Sequence, residues 1–375
     1  MILSEEHQLI RESVAEFVKS EIAPYATDAD KDAIFPLQQV KSLAEVGMLL
    51  MKCPDEYGGG GGDTLAYAIL MEEICKECAA TGTTVAVQSL TADCILKFGT
   101  EEQKQKYLPA MSSGEMFGGF ALTEPQAGSD ARAIATTAED KGDHFILNGT
   151  KAFVTSGDHC DFLIVIARSE SGSEGSKGMS AFIVGKDQFK VGKLEDKMGV
   201  RGSHTAEIIL KDAKVPKENV LGPLGQGFKI AMTALDGGRI GIAAQAVGIL
   251  QGALEESIKY SKQRVQFSKP IGENQAIQWM MADMYRDVTA ARQLVYHAAA
   301  LSDDGQAFSA EAAAAKLFAA EVAMKGSINA VQIHGGYGYC KPAKVERHFR
   351  DAKLTAIYEG TSEVQRMVIS GNILR

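Results

Sequence analysis

Phe145-Ile146-Leu147-Asn148-Gly149-Thr150-Lys151-Ala152-Phe153-Val154 is the stretch that decides the fold, because it interrupts the helical spacing found towards both ends of the chain. The apolar runs within it are typical of β-strands. An Asn-Gly pair between two such runs is a strong signal for a two-residue hairpin turn. We therefore predict two strands that are joined by a turn at Asn148-Gly149.

Further extended segments lie on either side of this stretch. They cover residues 117–122, 162–166, 179–184 and 206–210. A small, polar loop at residues 169–177 separates two of them. We predict that residues 116–226 form a compact β domain, either a small barrel or a sandwich.

Helical spacing dominates the rest of the chain. Apolar residues first recur at this spacing at Leu9, Ile10, Val14, Phe17, Val18 and Ile22. Beyond the β domain, residues 240–258, 277–295 and 311–333 predict three long helices. Long helices with short connections form bundles. The predicted fold class is α+β and multidomain, with an all-α domain at residues 1–115 and a helical bundle at residues 227–375.

Composition excludes several classes of function. The 375 residues carry a net charge of −9, which disfavours a nucleic-acid partner. No apolar run reaches the roughly 20 residues that a membrane helix needs, and the N-terminus lacks the pattern of a signal peptide. The six cysteines are scattered, as in proteins of reducing compartments. We expect a cytoplasmic protein that does not insert into membranes.

Several familiar motifs are weak or missing. The seven histidines are dispersed and no cluster has metal-ligand spacing, so no metal site is predicted. Cys75-Lys76-Glu77-Cys78 is a lone Cys-x-x-Cys in a helical pattern, for which a redox role is the less favoured alternative. The chain has no Gly-x-Gly-x-x-Gly between a strand and a helix and no Gly-x-Ser-x-Gly, which disfavours a Rossmann site and a serine hydrolase.

Glu359 is the candidate general base. In Ile357-Tyr358-Glu359-Gly360-Thr361-Ser362-Glu363-Val364-Gln365 it follows two large, mostly apolar residues. Loss of water on folding raises the pKa of a carboxyl group towards the range of a useful base. Gly360 carries no side chain, so a ligand can approach the backbone there. The alternative is an ordinary loop glutamate before a C-terminal helix.

Small and polar clusters elsewhere lie at predicted domain joints. They are the segments 122–130, 236–239, 262–267 and 332–336. The first offers hydroxyl and backbone N–H groups to a planar ligand, and Arg264 in the third could meet a phosphate. Each cluster alone is more often a structural turn than a site.

Taken together, these clusters resemble the acyl-CoA dehydrogenase family over essentially the whole chain. The segments that carry the resemblance are 120–129, 153–155, 235–239, 263–270, 332–336 and 358–361. Short-chain, butyryl-CoA dehydrogenases are especially similar through residues 235–241, 260–267 and 357–363. Phe153 stands where many members have tryptophan, and Ser156 replaces a frequent asparagine.

The resemblance implies N-terminal helices, a middle β-barrel and a C-terminal four-helix bundle, assembled as a homotetramer. It also implies non-covalent FAD. The residues that it places at this cofactor are Phe120, Leu122, Thr123, Gly128, Ser129, Phe153, Val154, Thr155, Arg264, Phe267, Gln275, Gln332, Gly335, Gly336, Thr361 and Glu363. Those that it places at the CoA thioester are Ser129, Asp236, Arg239 and Gly360.

By the same resemblance, Glu359 removes the α-proton of an acyl-CoA while its backbone N–H polarises the thioester carbonyl. The flavin accepts the β-hydrogen as hydride, and an electron-transfer flavoprotein takes the electrons from a reaction that yields a trans-2-enoyl-CoA. Three alternatives stay open: an enoyl-CoA reductase in an electron-bifurcating complex, a flavin-dependent oxidase, and a catalytically silent CoA- or flavin-binding scaffold. The sequence does not decide the length or character of the acyl group.

Overall fold

A computed structural model describes residues 2–374 and shows a helical region, a β region and a second helical region in that order. The N-terminal helices are α1 (Glu5–Phe17), α2 (Ala26–Asp32), α3 (Leu37–Glu45), α4 (Thr64–Glu77), α5 (Ala79–Phe98) and α6 (Glu101–Ser112). Side chains cap three of them, because Ser4, Asp63 and Thr100 each accept a backbone N–H from the first turn. The predicted fold class is confirmed at the level of this order.

The β region is one eight-stranded sheet in which the strands run in the order β6-β7-β3-β2-β4-β5-β8, with β1 also on β4. The strands are β1 (Gly118–Ala121), β2 (Thr137–Asp140), β3 (His144–Thr155), β4 (Phe162–Arg168), β5 (Met179–Gly185), β6 (Lys190–Leu194), β7 (Thr205–Pro216) and β8 (Val220–Leu221). β1 and β2 pair with β4 in parallel, whereas the other neighbours are antiparallel.

β4 is buried on both faces, which explains its continuous apolar run. Phe162, Ile164 and Ile166 belong to the core that the sheet shares with the helices, and Leu163 and its alternate neighbours belong to a second core inside the sheet. The rings of Phe145 on β3 and Phe182 on β5 lie 5.0 Å apart in that second core, although these strands are not neighbours. The sheet therefore curls around its own core, in the manner of a small barrel.

The predicted hairpin at Asn148-Gly149 is wrong. β3 runs without a break through both residues, and its register on β7 shifts between Leu147 and Gly149. The Asn148 side chain accepts a hydrogen bond from the Asp212 N–H at 2.8 Å, across the sheet. A Cβ on residue 149 would lie 2.8 Å from the Cα of Thr136, so the glycine permits a close approach of two strands. Here the Asn-Gly pair marks a β-bulge.

The C-terminal region is a bundle around three long helices. Its elements are α7 (Gly227–Gln263), β9 (Val265–Gln266), β10 (Lys269–Pro270), α8 (Gln275–Asp303), α9 (Ser309–His334), α10 (Gly336–Tyr339), α11 (Lys344–Thr355) and α12 (Ser362–Ile373). α11 and α12 pack against α9. Within residues 2–374, no helix is both long enough and apolar enough to cross a membrane.

One hydrophobic core joins the two helical regions. It contains residues of α4 and α5, the helix-facing side of the sheet, and the inner faces of α7, α8 and α9. Because this core is continuous, the domain limits at residues 115 and 226 stay a prediction.

Gly149→Ala is expected to destabilise the protein by about 1–3 kcal/mol, since its new methyl group overpacks the contact with Thr136. Urea unfolding followed by circular dichroism measures the change. Gly371→Ala is the control, because a Cβ at that position meets no atom within 4 Å. Equal unfolding midpoints for the two variants would contradict this account of the bulge.

Candidate active site

Glu359 lies in the connection between α11 and α12, in a left-handed backbone conformation with φ of 53°. This conformation costs a non-glycine residue on the order of 1 kcal/mol, so the surroundings must hold it. The Gln365 amide donates hydrogen bonds to the carbonyl oxygens of Glu359 at 3.0 Å and Gly360 at 2.8 Å. The Lys316 ammonium donates to the same Gly360 oxygen at 2.6 Å.

Tyr358 ties the turn to two helices of the shared core. Its hydroxyl donates to the Gln245 side chain on α7, which in turn donates to Thr83 Oγ1 on α5 at 3.1 Å. Thr361 caps α12 by accepting the N–H of Val364 at 3.3 Å. The turn is therefore anchored on both sides of Glu359.

The carboxylate of Glu359 rests on a glycine of α7. Oε2 is buried and has no hydrogen-bond partner in residues 2–374. A Cβ at Gly238 would lie 2.7 Å from this oxygen, so only glycine leaves the carboxylate its place. We did not predict Gly238 as a site residue. The signal was present in the sequence, since paired glycines inside a helical pattern are unfavourable and need a reason.

Two cations lie near this carboxylate without binding it. Arg239 is 4% exposed and pairs with Asp236, which also accepts from Ser309 Oγ at 2.8 Å. Lys316 is fully buried on α9, and its ammonium group donates a hydrogen bond to the Gly360 carbonyl oxygen. Burial raises the pKa of Glu359 to about 7, while the charges of Arg239 and Lys316 oppose the rise. This value suits a general base near neutral pH.

The backbone N–H of Glu359 is a free donor. It gives no hydrogen bond to any atom in the part of the chain that the structure describes. An N–H group next to a base of this kind can stabilise an oxyanion that forms on a bound carbonyl. The turn thus offers a proton acceptor and a hydrogen-bond donor side by side.

A second group of predicted residues lies where β1 and β3 end. The Ala152 N–H donates to the Thr123 carbonyl at 2.8 Å, which holds the two segments together. A register shift between Lys151 and Val154 turns Phe153 outwards, with φ of 55° and 66% exposure. The hydroxyls of Thr123 and Thr155 have no partner in residues 2–374. These groups form a partly open, aromatic and polar surface.

A buried ion pair that is not apparent from the sequence supports this surface from behind. Lys151 Nζ lies 2.7 Å from Glu124 Oε1, and both side chains are almost fully enclosed. Glu124 also accepts the N–H groups of Ala135 at 2.6 Å and Thr136 at 3.0 Å. Burial disfavours the Glu124 carboxylate, but Lys151 and these donors lower its pKa to about 2. The loop that ends at Gly128 and Ser129 is fixed in this way.

A third group lines a cavity of about 610 Å³. Arg264, Gly335 and Gly336 are among its walls, and the Arg264 guanidinium lies 5.6 Å from the centre of the Tyr337 ring. No carboxylate within residues 2–374 pairs with Arg264. An unpaired guanidinium in a cavity is suited to a phosphate.

The remaining predicted residues lie on the surface or flank these groups. Phe267 is 94% exposed at the tip of the β9–β10 hairpin, and Gln275 and Gln332 are exposed at ends of α8 and α9. No described hydrogen bond or ion pair joins these three to Glu359. Phe120 is partly buried on β1, whereas Leu122 and Val154 are buried in hydrophobic cores next to the β1–β3 surface. Thr361 is the N-cap of α12, and Glu363 lies in its first turn. Their predicted contacts with a cofactor stay predictions.

One cluster has the composition of a metal site. Ligand atoms of Asp158, His159 and His204 lie within 4.8 Å of one another. However, the two His204 ring nitrogens lie 2.6 Å from the Asp158 carboxylate and 2.9 Å from the Ala33 carbonyl oxygen. Both partners are acceptors, so His204 donates from both nitrogens and has no lone pair for a metal.

Comparisons with known proteins show similarity over the whole chain. The chain matches family models described as the N-terminal, middle and C-terminal domains of acyl-CoA dehydrogenase at residues 4–115, 119–213 and 225–374. It is 48% identical to a short-chain specific acyl-CoA dehydrogenase of Clostridium acetobutylicum, over 100% of this chain and 99% of the relative.

Two solved structures are similar along the whole chain. One is butyryl-CoA dehydrogenase from Megasphaera elsdenii, with a TM-score of 0.97, 44% identity and 100% coverage of both chains. The other belongs to work on an electron transferring flavoprotein of Acidaminococcus fermentans and flavin-based electron bifurcation. It has a TM-score of 0.98 and 49% identity, and the match covers 100% of this chain and 99% of that one.

Lys151→Met is expected to destabilise the protein by about 3–5 kcal/mol, because it leaves the Glu124 carboxylate buried without its cation. The control is Lys141→Met, which breaks an exposed pair with Glu139 and costs at most about 1 kcal/mol. Urea unfolding of both variants measures the difference. If Lys151→Met were as stable as the control, the pair would have no supporting role.

Proposed function

The chain belongs to the acyl-CoA dehydrogenase family, and from this premise we propose that it oxidises a short-chain acyl-CoA to a trans-2-enoyl-CoA. In this proposal FAD is the cofactor and an electron-transfer flavoprotein is the electron acceptor. The observation that carries it is the Glu359 turn, where an enclosed carboxylate with a pKa of about 7 adjoins a free backbone N–H.

The backbone N–H and the carboxylate of Glu359 have separate roles in the proposed reaction. The Glu359 N–H binds the thioester carbonyl oxygen and stabilises the charge that develops there, which makes the α-proton more acidic. The Glu359 carboxylate then takes that proton. Because Oε2 is buried against Gly238, Oε1 is left as the oxygen that accepts the proton. When bound, FAD supplies the acceptor for the β-hydrogen.

The residues present fit FAD. The unpartnered hydroxyls of Thr123 and Thr155 suit the polar edge of a flavin ring, and the exposed ring of Phe153 suits its apolar face. Arg264 has an unpaired positive charge in a cavity that suits a pyrophosphate. Phe267 is held out on a hairpin tip, so we place it against the cofactor of a neighbouring subunit in a homotetramer.

The reverse direction is the second candidate, and one comparison favours it. A chain with a TM-score of 0.98 comes from a structure that concerns flavin-based electron bifurcation. In that role this chain would reduce an enoyl-CoA as a subunit of a bifurcating complex. Co-purification with a flavoprotein that oxidises NADH, together with NADH-dependent reduction of crotonyl-CoA, would establish the second candidate over the first.

Glu359→Gln is expected to slow the reaction by about 10²–10⁴-fold, since the amide cannot take the α-proton. The measurement is the rate at which butyryl-CoA bleaches the flavin absorbance under anaerobic conditions. Glu174→Gln, in an exposed loop, is the control and keeps the wild-type rate. A wild-type rate in Glu359→Gln would contradict the assignment of Glu359 as the base. A protein that takes up no FAD would contradict the proposed function as a whole.

Lys316→Met is expected to move the acid limb of the pH–rate profile to higher pH. The Lys316 charge lowers the pKa of Glu359, so its removal raises that pKa above about 7, and more of the carboxylate is protonated at a given pH. Lys316→Arg keeps the charge and restores the limb.

Gln365→Leu is the matched control for Lys316→Met. It removes two hydrogen bonds to the same turn, including one to the same Gly360 oxygen, but removes no charge. It is expected to lower the rate without moving the limb. An equal shift in both variants would show that Lys316 acts only by holding the backbone.

A further inference from the structure

The floor beside Glu359 consists of two adjacent glycines of α7. Gly237 and Gly238 are both half-buried. A Cβ at Gly238 would lie 2.7 Å from Glu359 Oε2 and 3.2 Å from Leu90, whereas a Cβ at Gly237 would lie 3.7 Å from Asp93 Oδ2. The floor therefore has the catalytic carboxylate at one position and a second carboxylate, that of Asp93, at the next.

α5 forms the wall above this floor. Leu90 and Asp93 are three residues apart on that helix and so lie on one face. Three residues advance a helix by about 4.5 Å. The three bonds from an α-carbon through C3 and C4 to an oxygen on C4 span roughly 4 Å when the chain is extended, because bond angles shorten the sum of the bond lengths, and this span is close to that advance. An acyl chain with its α-carbon at Glu359 that runs along this wall therefore brings a substituent on C4 to Asp93.

Asp93 forms an ion pair with Lys52, which has no role in the proposed proton removal. The Lys52 ammonium donates to Asp93 Oδ2 and lies 4.7 Å from the centre of the Tyr67 ring. The two side chains are 15% and 16% exposed. An ion pair enclosed to this degree adds little net stability, because its attraction is offset by the loss of hydration. Its presence beside the reacting carboxylate calls for a functional reason.

The ion pair of Lys52 and Asp93 can still both accept and donate hydrogen bonds. Asp93 Oδ1 accepts no hydrogen bond in residues 2–374, and the Lys52 ammonium has further N–H groups to donate. A hydroxyl can donate to the first and accept from the second. A terminal carboxylate or ammonium would meet one attractive and one repulsive charge here, and an alkyl end would satisfy neither group.

We propose that Lys52 and Asp93 bind a hydroxyl group on C4 of the acyl chain, so that a 4-hydroxyacyl-CoA is the preferred substrate class. The inference rests on the proposed acyl-CoA oxidation, because it assumes an α-carbon at Glu359. It assigns the two residues to substrate selection and leaves proton removal to Glu359.

The test compares 4-hydroxybutyryl-CoA with pentanoyl-CoA, which carries a methyl group in place of the hydroxyl. Sites that hydrogen-bond a substrate hydroxyl discriminate strongly against its apolar analogue, so kcat/KM of the FAD-loaded enzyme is expected to favour 4-hydroxybutyryl-CoA by about tenfold or more. The double variant Lys52→Met/Asp93→Leu leaves no unpaired charge and is expected to reverse the preference. Asp93→Asn, which keeps the size of the side chain, serves if the double variant does not fold, and it is expected to reduce the ratio.

Lys193→Met/Glu195→Leu is the matched control, because it removes an exposed ion pair of 2.7 Å from the β region and should leave the ratio unchanged. Equal or better turnover of pentanoyl-CoA by the wild type, or a ratio that the Asp93 variants do not change, would overturn the proposal. Butyryl-CoA tests the proposed function separately from this inference. Its turnover supports acyl-CoA oxidation whatever the ratio of kcat/KM for 4-hydroxybutyryl-CoA and pentanoyl-CoA. A wild type that oxidises none of the three thioesters would overturn the proposed function and this inference with it.

Discussion

The Glu359 carboxylate has lost water near two cations, neither of which donates a hydrogen bond to it, and the chemistry of the site depends on this arrangement. Arg239 is occupied by Asp236 and Lys316 by the Gly360 carbonyl. A direct ion pair would hold the pKa of the carboxyl group low and leave it a poor base. Enclosure without the cations would raise the pKa above about 7. A pKa of about 7 is the balance between desolvation, which raises it, and the charges of Arg239 and Lys316, which lower it.

That balance requires several elements to be positioned together. Gly238 and Arg239 come from α7, Lys316 from α9, and Gln245 and Thr83 connect the turn to α7 and α5. These helices share one hydrophobic core, which also contains the helix-facing side of the sheet. A close-packed core transmits small displacements, so the geometry of the turn depends on packing in both helical regions. The three regions therefore act as one framework for the site, whatever their limits along the chain.

The sequence predicted the order of the regions because that order depends on local periodicity, and local periodicity survives in a single chain. It failed at Asn148-Gly149 because the same dipeptide suits a hairpin turn and a bulge, and only the partner strand decides between them. Lys151 and Lys316 were missed for a related reason. A lysine in a strand or in an alanine-rich helix is interpreted as exposed to solvent until its distant partner is known. The partner is Glu124 for Lys151 and Gly360 for Lys316. Gly238 was within reach of the sequence, but its carboxylate neighbour lies more than a hundred residues away.

Backbone conformation supports the functional reading independently of charge. Within residues 2–374, Phe153, Phe267 and Glu359 are among the few non-glycine residues with positive φ, at 55°, 52° and 53°. Glycine would adopt these conformations without strain. None of the three side chains contributes to a hydrophobic core, and two of them are largely exposed. Stability alone would therefore favour glycine at all three positions. A side chain that is kept against a local backbone preference, and without compensation from packing, is best explained by what it does to a ligand or a neighbouring subunit.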